Sequence, residues 1–316
     1  MQQLSEIYGV DVSKATLMTA RHGNPSSVRS IINATAAIQV WLDSLPPGCT
    51  VAMEATGKYH RELAQLAHAS GRRVFVFNAR DVHFYAKALS GRGKTDRLDA
   101  QVIARFAAEH QGQLHVWCPA AALPRQLQSL LQRRARVVGS SVSLKQALKD
   151  VPELHEASDK LQAAFFGFLA EVDRQIQALL QQDETLRART EKLDSITGFG
   201  PQGSTILGAL FSSIEFDNAD AVVAYSGMDP RPQDSGTKRG KRRLSKRGPA
   251  WLRRQMYLAA FAASHSKALG PLYRQIKARG FAPTQALNIL ARKLLRVAWA
   301  IWKSDKPFDP SKLAPG

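Results

Sequence analysis

Between Ser235 and Ser304 the chain contains no aspartate or glutamate, yet 17 of its lysines and arginines fall there. The full 316 residues carry 44 basic and 26 acidic side chains, a formal net charge of +18, so residues 1–234 are nearly neutral and the excess lies at one end. A face that only keeps a protein in solution interleaves both signs. Absence of every carboxylate over so long a stretch instead points to a polyanion, and to phosphate backbones ahead of an anionic membrane. The densest run, Lys238-Arg239-Gly240-Lys241-Arg242-Arg243-Leu244-Ser245-Lys246-Arg247, is flanked by Gly236 and Gly248 and reads as a loop or arm.

Cysteine is scarce as well. Cys49 and Cys118 are far apart and have no histidine cluster beside them, which excludes a disulfide framework and a zinc site; both are expected to be small core hydrophobes. Long apolar runs are also missing. Leu258–Ala263 falls far short of the roughly 20 residues of a membrane span, and no basic-plus-apolar leader precedes Gly9. A cytoplasmic protein without a membrane partner is expected. With 44% hydrophobic and 22% charged residues, the chain can bury one large core or two modest ones.

What is present divides into three parts. In residues 1–118, Ile7–Val12 and Thr16–Ala20 read as a hairpin, Val51–Glu54 and Val74–Phe77 as further strands, and Leu63, Leu66 and Ala67 mark a helical face between them; this is a crossover in a mixed α/β sheet. Residues 119–190 read as an antiparallel helical pair, a coiled-coil spacer. Leu127, Leu130, Leu131, Val138 and Val142 lie on one helix, Asp150-Val151-Pro152 breaks it, and Leu161, Phe165, Phe168, Val172, Ile176, Leu179 and Leu186 follow. That second stripe either packs on its own domain or joins protomers. Residues 191–316 read as a basic all-α domain. There Ser195–Pro201 is a glycine turn opening a helix, a helix-hairpin-helix-like pattern whose amides face phosphate or which is plain packing. Two amphipathic helices, Trp251–His265 and Pro283–Trp302, carry Arg253, Arg254, Arg292, Lys293 and Arg296 on outward faces.

Four acids stand out in the first part: Asp11 inside a strand, Glu54 ending another, and Asp96 and Asp99, i and i+3 at a helix start. Capping explains Asp96 and Asp99, and salt bridges to arginines explain Asp11 and Glu54. The other reading is convergence at a sheet edge beside Arg92 and Lys94, where hard oxygen ligands suit Mg²⁺ in phosphoryl transfer.

Gly9-Val10-Asp11-Val12-Ser13-Lys14, Glu54-Ala55-Thr56-Gly57 and Lys94-Thr95-Asp96-Arg97-Leu98-Asp99-Ala100 together resemble the DEDD transposases of bacterial insertion sequence family one-ten. In the same order, Gly198-Phe199-Gly200, Tyr225–Pro230, Asp234-Ser235-Gly236 and Leu244–Gly248 resemble that family's second domain, with Met228 where leucine is expected. The resemblance covers nearly the whole chain. It implies a RuvC-like, RNase H-like first domain, Mg²⁺ on Asp11, Glu54, Asp96 and Asp99, and Ser235 as a nucleophile that becomes joined to a DNA phosphate. It further implies a bridge RNA that pairs with target and donor DNA, a homo-oligomer (dimer or tetramer), and a bacterial protein on the nucleoid when active.

From residue type alone Ser235 is a turn serine. Beside Lys238 and Arg239 it also suits a nucleophile held near phosphate, and a phosphoserine ester would conserve bond energy for rejoining. Ser245 competes, and is expected as a phosphate-contacting helix cap. The nucleic-acid surface is expected to include Arg92, Lys94, Lys238, Arg239, Lys241, Arg242, Arg243, Ser245, Lys246, Arg247, Arg253 and Arg254. A metal-dependent nuclease using water, and a non-enzymatic packaging protein, remain the alternatives; the first does not need Ser235, the second does not need the four acids.

Overall fold

The structure, a computed structural model, describes residues 6–89, 96–119, 121–232, 235, 240 and 242–313, with Asp96 and Arg97 described in backbone only. The chain divides into two compact units, Met1–Pro119 and Ala120–Gly316.

The first unit is built on a five-stranded sheet. β1 (Ile7–Val12) and β2 (Thr16–Arg21) form the expected antiparallel hairpin, and β3 (Arg29–Ile32) continues it at the edge. After α1 (Thr35–Asp43), β4 (Thr50–Glu54) returns parallel to β1; α2 (His60–Ala69) then crosses to β5 (Arg73–Phe77), parallel to β4. The order is β3-β2-β1-β4-β5. The mixed α/β expectation therefore holds, with β3 and α1 added to it.

Strand alternation sends the two faces into separate cores. Val10, Val12, Val51 and Met53 pack with Ile38, Leu42, Leu63 and Ala67 of α1 and α2. Ile7, Ala52, Phe75 and Phe77 face the other way, against α3 (Ala79–Ala88) and α4 (Asp96–His110) through Val82, Ile103 and Ala107. Cys49 is buried as expected, whereas Cys118 is exposed, because it follows the last element of this unit and no packing layer covers it.

The second unit is helical apart from one short hairpin. α5 (Ala122–Ala147) and α6 (His155–Leu180) run antiparallel, with Arg134 on Asp173 and Ser141 on Gln162. Leu127, Leu131, Val172, Ile176 and Leu180 enter the unit's main core, whereas Leu161, Phe166 and Phe168 remain 44%, 68% and 56% exposed. The stripe thus splits along its length. Asp183 caps α7 (Glu184–Asp194) by accepting from the Leu186 amide, so Leu186 lies on a separate helix. α8 (Pro201–Ser213) and α9 (Ala219–Ser226) follow; then β6 (Pro230–Arg231) pairs antiparallel with β7 (Arg243–Leu244). α10 (Ala250–Ser264), α11 (Gly270–Ala278) and α12 (Pro283–Ser304) close the unit around Leu290, Leu294 and Leu295. No helix among the described residues is long and apolar enough to cross a membrane.

Candidate functional site

In the first unit the register of β1 on β4 pairs Val10 with Met53, so Asp11 and Glu54 follow side by side at the ends of neighbouring parallel strands. Both occupy the positions that alternate with Val10 and Met53, on the face turned to α4. Adjacent strands lie about 4.8 Å apart, so the carboxylates share one neighbourhood. Gly9, two residues before Asp11, lets α4 come close: a Cβ there would be under 3.0 Å from the Ala100 carbonyl oxygen and 2.8 Å from Ala104 Cα. Asp99 directly precedes Ala100. Asp11, Glu54 and Asp99 are all half-buried, and each already engages a partner.

The Asp96 side chain, Arg92 and Lys94 lie outside the described residues. Among the described residues, no group of three or more histidine, cysteine or carboxylate side chains is gathered tightly enough to hold a metal ion. One group escaped notice in the sequence. His60 opens α2 after the Glu54-to-Gly57 segment, and its Nδ1 is buried without a hydrogen-bond partner. Burial pushes this imidazole below its ordinary pKa, against the Thr56 backbone and with help from Arg61. Neither motif nor spacing marks such a residue.

In the second unit, two separate sequence motifs meet at the feet of the β6–β7 hairpin. Gly227 ends α9 in the left-handed region (φ 69°) and Lys246 takes φ 53°, with its amide donating to the Gly227 carbonyl at 3.0 Å. Gly248 lies so close that a Cβ would stand 2.7 Å from the Gly227 nitrogen. The Ser245 amide donates to the Asp229 carbonyl at 2.9 Å, and the Ser245 hydroxyl donates to the Asp229 carboxylate. Arg253 donates to the carbonyls of Ser226, at 3.2 Å, and Gly248.

Two expectations are corrected here. Ser245 is not a helix cap: the residue before α10 is Pro249, and Ser245 is buried with its hydroxyl held by Asp229. Arg253 is turned inward to tie the loop, unlike the exposed Arg254. Arg292 is likewise half-buried; burial and Arg296 push its pKa down, opposed by Asp229, while Arg296 pairs with Asp220 at 2.5 Å. Ser235 is exposed and takes part in a single β-bridge within the segment that the hairpin closes. Arg242, Arg243, Lys246 and Arg247 are exposed too, and Lys238, Arg239 and Lys241 lie outside the described residues. Gly198, at φ 95°, brings the α7–α8 turn onto α10, where a Cβ would stand 2.7 Å from that of Ala263. The turn is a packing joint in this sense, and α8 starts from Gly200 and Pro201.

Comparison with known proteins gives two successive matches, the first of which runs beyond Pro119 into the second unit. A DEDD-type family model described as Transposase matches residues 8–153, and another, described as Transposase IS116/IS110/IS902 family, matches residues 190–274. The pilin gene-inverting protein of Moraxella bovis is 28% identical over 272 residues, 81% of each chain. A probable family 20 transposase of Pseudomonas aeruginosa is 25% identical over 352 aligned positions, covering 98% of this chain and 96% of its own. The insertion element IS116 uncharacterized 44.8 kDa protein of Streptomyces clavuligerus is 31% identical over 147 residues, 44% of this chain and 34% of its own.

Proposed function

The chain belongs to the IS116/IS110/IS902 family of insertion-sequence transposases, enzymes that recombine DNA, and on that premise we propose that it cuts and rejoins DNA through Ser235 under the direction of a guide RNA. The observation that carries the choice of nucleophile is the contrast between the two serines of the basic arm. Ser235 is exposed on a segment clamped at both feet, whereas Ser245 is buried and bound to Asp229.

The step is a transesterification. A bond forms from Ser235 Oγ to phosphorus as one phosphorus–oxygen bond of the DNA breaks; the serine proton passes to base or solvent, and the freed strand end leaves as its hydroxyl. Attack by another strand's hydroxyl on the phosphoserine reverses this and restores Ser235, so rejoining needs no external energy source. Asp11, Glu54, Asp96 and Asp99 would hold Mg²⁺, which supplies orientation of phosphate oxygens and offsets their charge. The side-by-side ends of β1 and β4 and the close approach of α4 support this donor set, which is hard, anionic and free of thiols. The strand order, with one antiparallel hairpin followed by two parallel crossover strands, supports a RuvC-like kinship.

Arg242, Arg243, Lys246, Arg247 and Arg254, with Lys238, Arg239, Lys241, Arg92 and Lys94, would contact target DNA, donor DNA and the bridge RNA. Exposed Leu161, Phe166 and Phe168 at the far end of α6 support a homo-oligomer, dimer or tetramer. The test is covalent trapping on a cleaved oligonucleotide. Ser235→Ala should bind nucleic acid and form no denaturation-resistant adduct, while Ser245→Ala should still form one. An adduct in the Ser235→Ala protein would move the role elsewhere; no adduct in the native protein would favour hydrolysis by water.

A further inference from the structure

The second unit carries a hollow that the acids and the basic arm do not use. It measures about 320 Å³ and lies where α5, α8 and α10 meet, lined by Arg136, Gln202, Trp251, Arg254, Gln255 and Leu258 among others. A second hollow of about 390 Å³ adjoins it through the shared Leu131, Gln202 and Gln255. No acid lines the first hollow. The single acid of the second, Asp173, is held by Arg134 through two hydrogen bonds of 2.6 and 2.8 Å. Among the described residues, Arg136 and Arg254 make no ion pair. The floor is apolar and includes the half-buried Trp251, which packs on the core. Farther along α10 the exposed Leu258 and Phe261 prolong the strip, and Phe261 lies 4.7 Å from the His265 ring, centroid to centroid.

We infer that this groove receives unpaired nucleotides of single-stranded DNA, with bases against Trp251 and Leu258 and phosphates on Arg136 and Arg254. Three observations select that occupant. Two exposed arginines with no carboxylate on the lining favour an anionic ligand over a neutral or cationic one. An aromatic and apolar floor beside them matches a flat base, which stacks on such surfaces whatever its sequence. A second copy of this chain would bring the same arginines against themselves, so the charge argues against self-association here. A duplex hides its bases inside the stack and cannot use the floor. The inference rests on the proposed function in one respect: exchange of strands opens the duplex and so creates the ligand.

The test is equilibrium binding of fluorescein-labelled dT20, a 20-base-pair duplex and rU20 to the full chain, with Trp251→Leu and Arg136→Gln as variants. Trp251→Leu should weaken dT20 binding roughly 5- to 150-fold and leave duplex binding unchanged, and Arg136→Gln should weaken dT20 binding by a larger factor than duplex binding. Equal losses on dT20 and duplex would reduce the groove to a general phosphate patch. No loss on dT20 would remove the site, and a loss confined to rU20 would replace the occupant by RNA. Thermal melting checks the fold, and if Trp251→Leu does not fold, Arg136→Gln carries the test. In the native protein, photocrosslinking of 5-iododeoxyuridine in dT20 should map to the peptide containing Trp251; a map to residues 240–247 alone would overturn the proposal. Binding is read without cleavage, so loss of the Ser235 adduct and loss of this site are separate results.

Discussion

Replacing Gly9 by alanine probes how α4 is seated against β1, beside Asp11. The new methyl group would meet the Ala100 carbonyl oxygen and the Ala104 nitrogen and Cα, all backbone atoms that no rotamer change can move away. Comfortable contacts of this kind need about 3.5 Å, so α4 must retreat by roughly 1 Å. β1 cannot yield instead, since it is hydrogen-bonded to β2 on one edge and β4 on the other. Overpacking of this sort costs about 1–3 kcal/mol, which lowers the melting temperature by roughly 4–15 °C for a unit of this size. The same retreat would shift Asp99, which precedes Ala100 on α4, relative to Asp11 and Glu54, and if these acids act together as proposed, 1 Å at a reacting group can cost about 10²-fold in rate. Cleavage of a labelled oligonucleotide, calorimetry and oligonucleotide affinity should be measured together on Gly9→Ala. Cleavage should fall about 100-fold while affinity stays unchanged. Native melting and native cleavage would refute the tight seat; reduced melting with native cleavage would break the link between the helix and the acids.

Asp11→Asn and Asp99→Asn should each abolish strand cleavage and leave oligonucleotide binding intact, and chelation should do the same to the native protein; full activity in chelator would remove the metal. Polar substitution of the exposed Phe166 and Phe168 should lower the mass seen by light scattering without changing the melting temperature. A native protein that is already monomeric on nucleic acid would contradict this. Neutralising Arg242 and Arg243 should weaken binding to all sequences and flatten the log–log salt dependence by about one to two units. Altered base preference at constant affinity would argue for a reading role instead.

The parts of the fold that could be read from the chain are those with a strong local period. The β1–β2 hairpin, β4, β5, α2 and the antiparallel α5–α6 pair all follow from apolar spacing. α1 escaped because Ala34 stands where a capping side chain would signal a start. β3 escaped because an edge strand with an exposed Arg29-Ser30 start shows no buried alternation. At the site, the four acids could be singled out by type, but the neighbourhood of Asp11 and Glu54 depends on strand register, which no local pattern encodes. Ser245 was misread for a related reason. Its partner, Asp229, lies 16 residues away and is brought near only when β6 meets β7. Arg253 is the same case, since a helical position cannot reveal that two loop carbonyls wait beside it.

The pinned feet of the β6–β7 hairpin limit how far Ser235 can travel. Three residues separate it from Arg231, the last residue of β6, and the four Cα-to-Cα steps between them span at most about 14 Å when extended. A DNA strand esterified to Ser235 would therefore be kept on a short leash: it could swivel about the tip but could not be carried elsewhere. If Ser235 is the nucleophile, exchange under such a constraint would work by changing which strand end arrives at it. The phosphodiester would have to be delivered to the serine, and delivery would fall to whatever bends and opens the DNA.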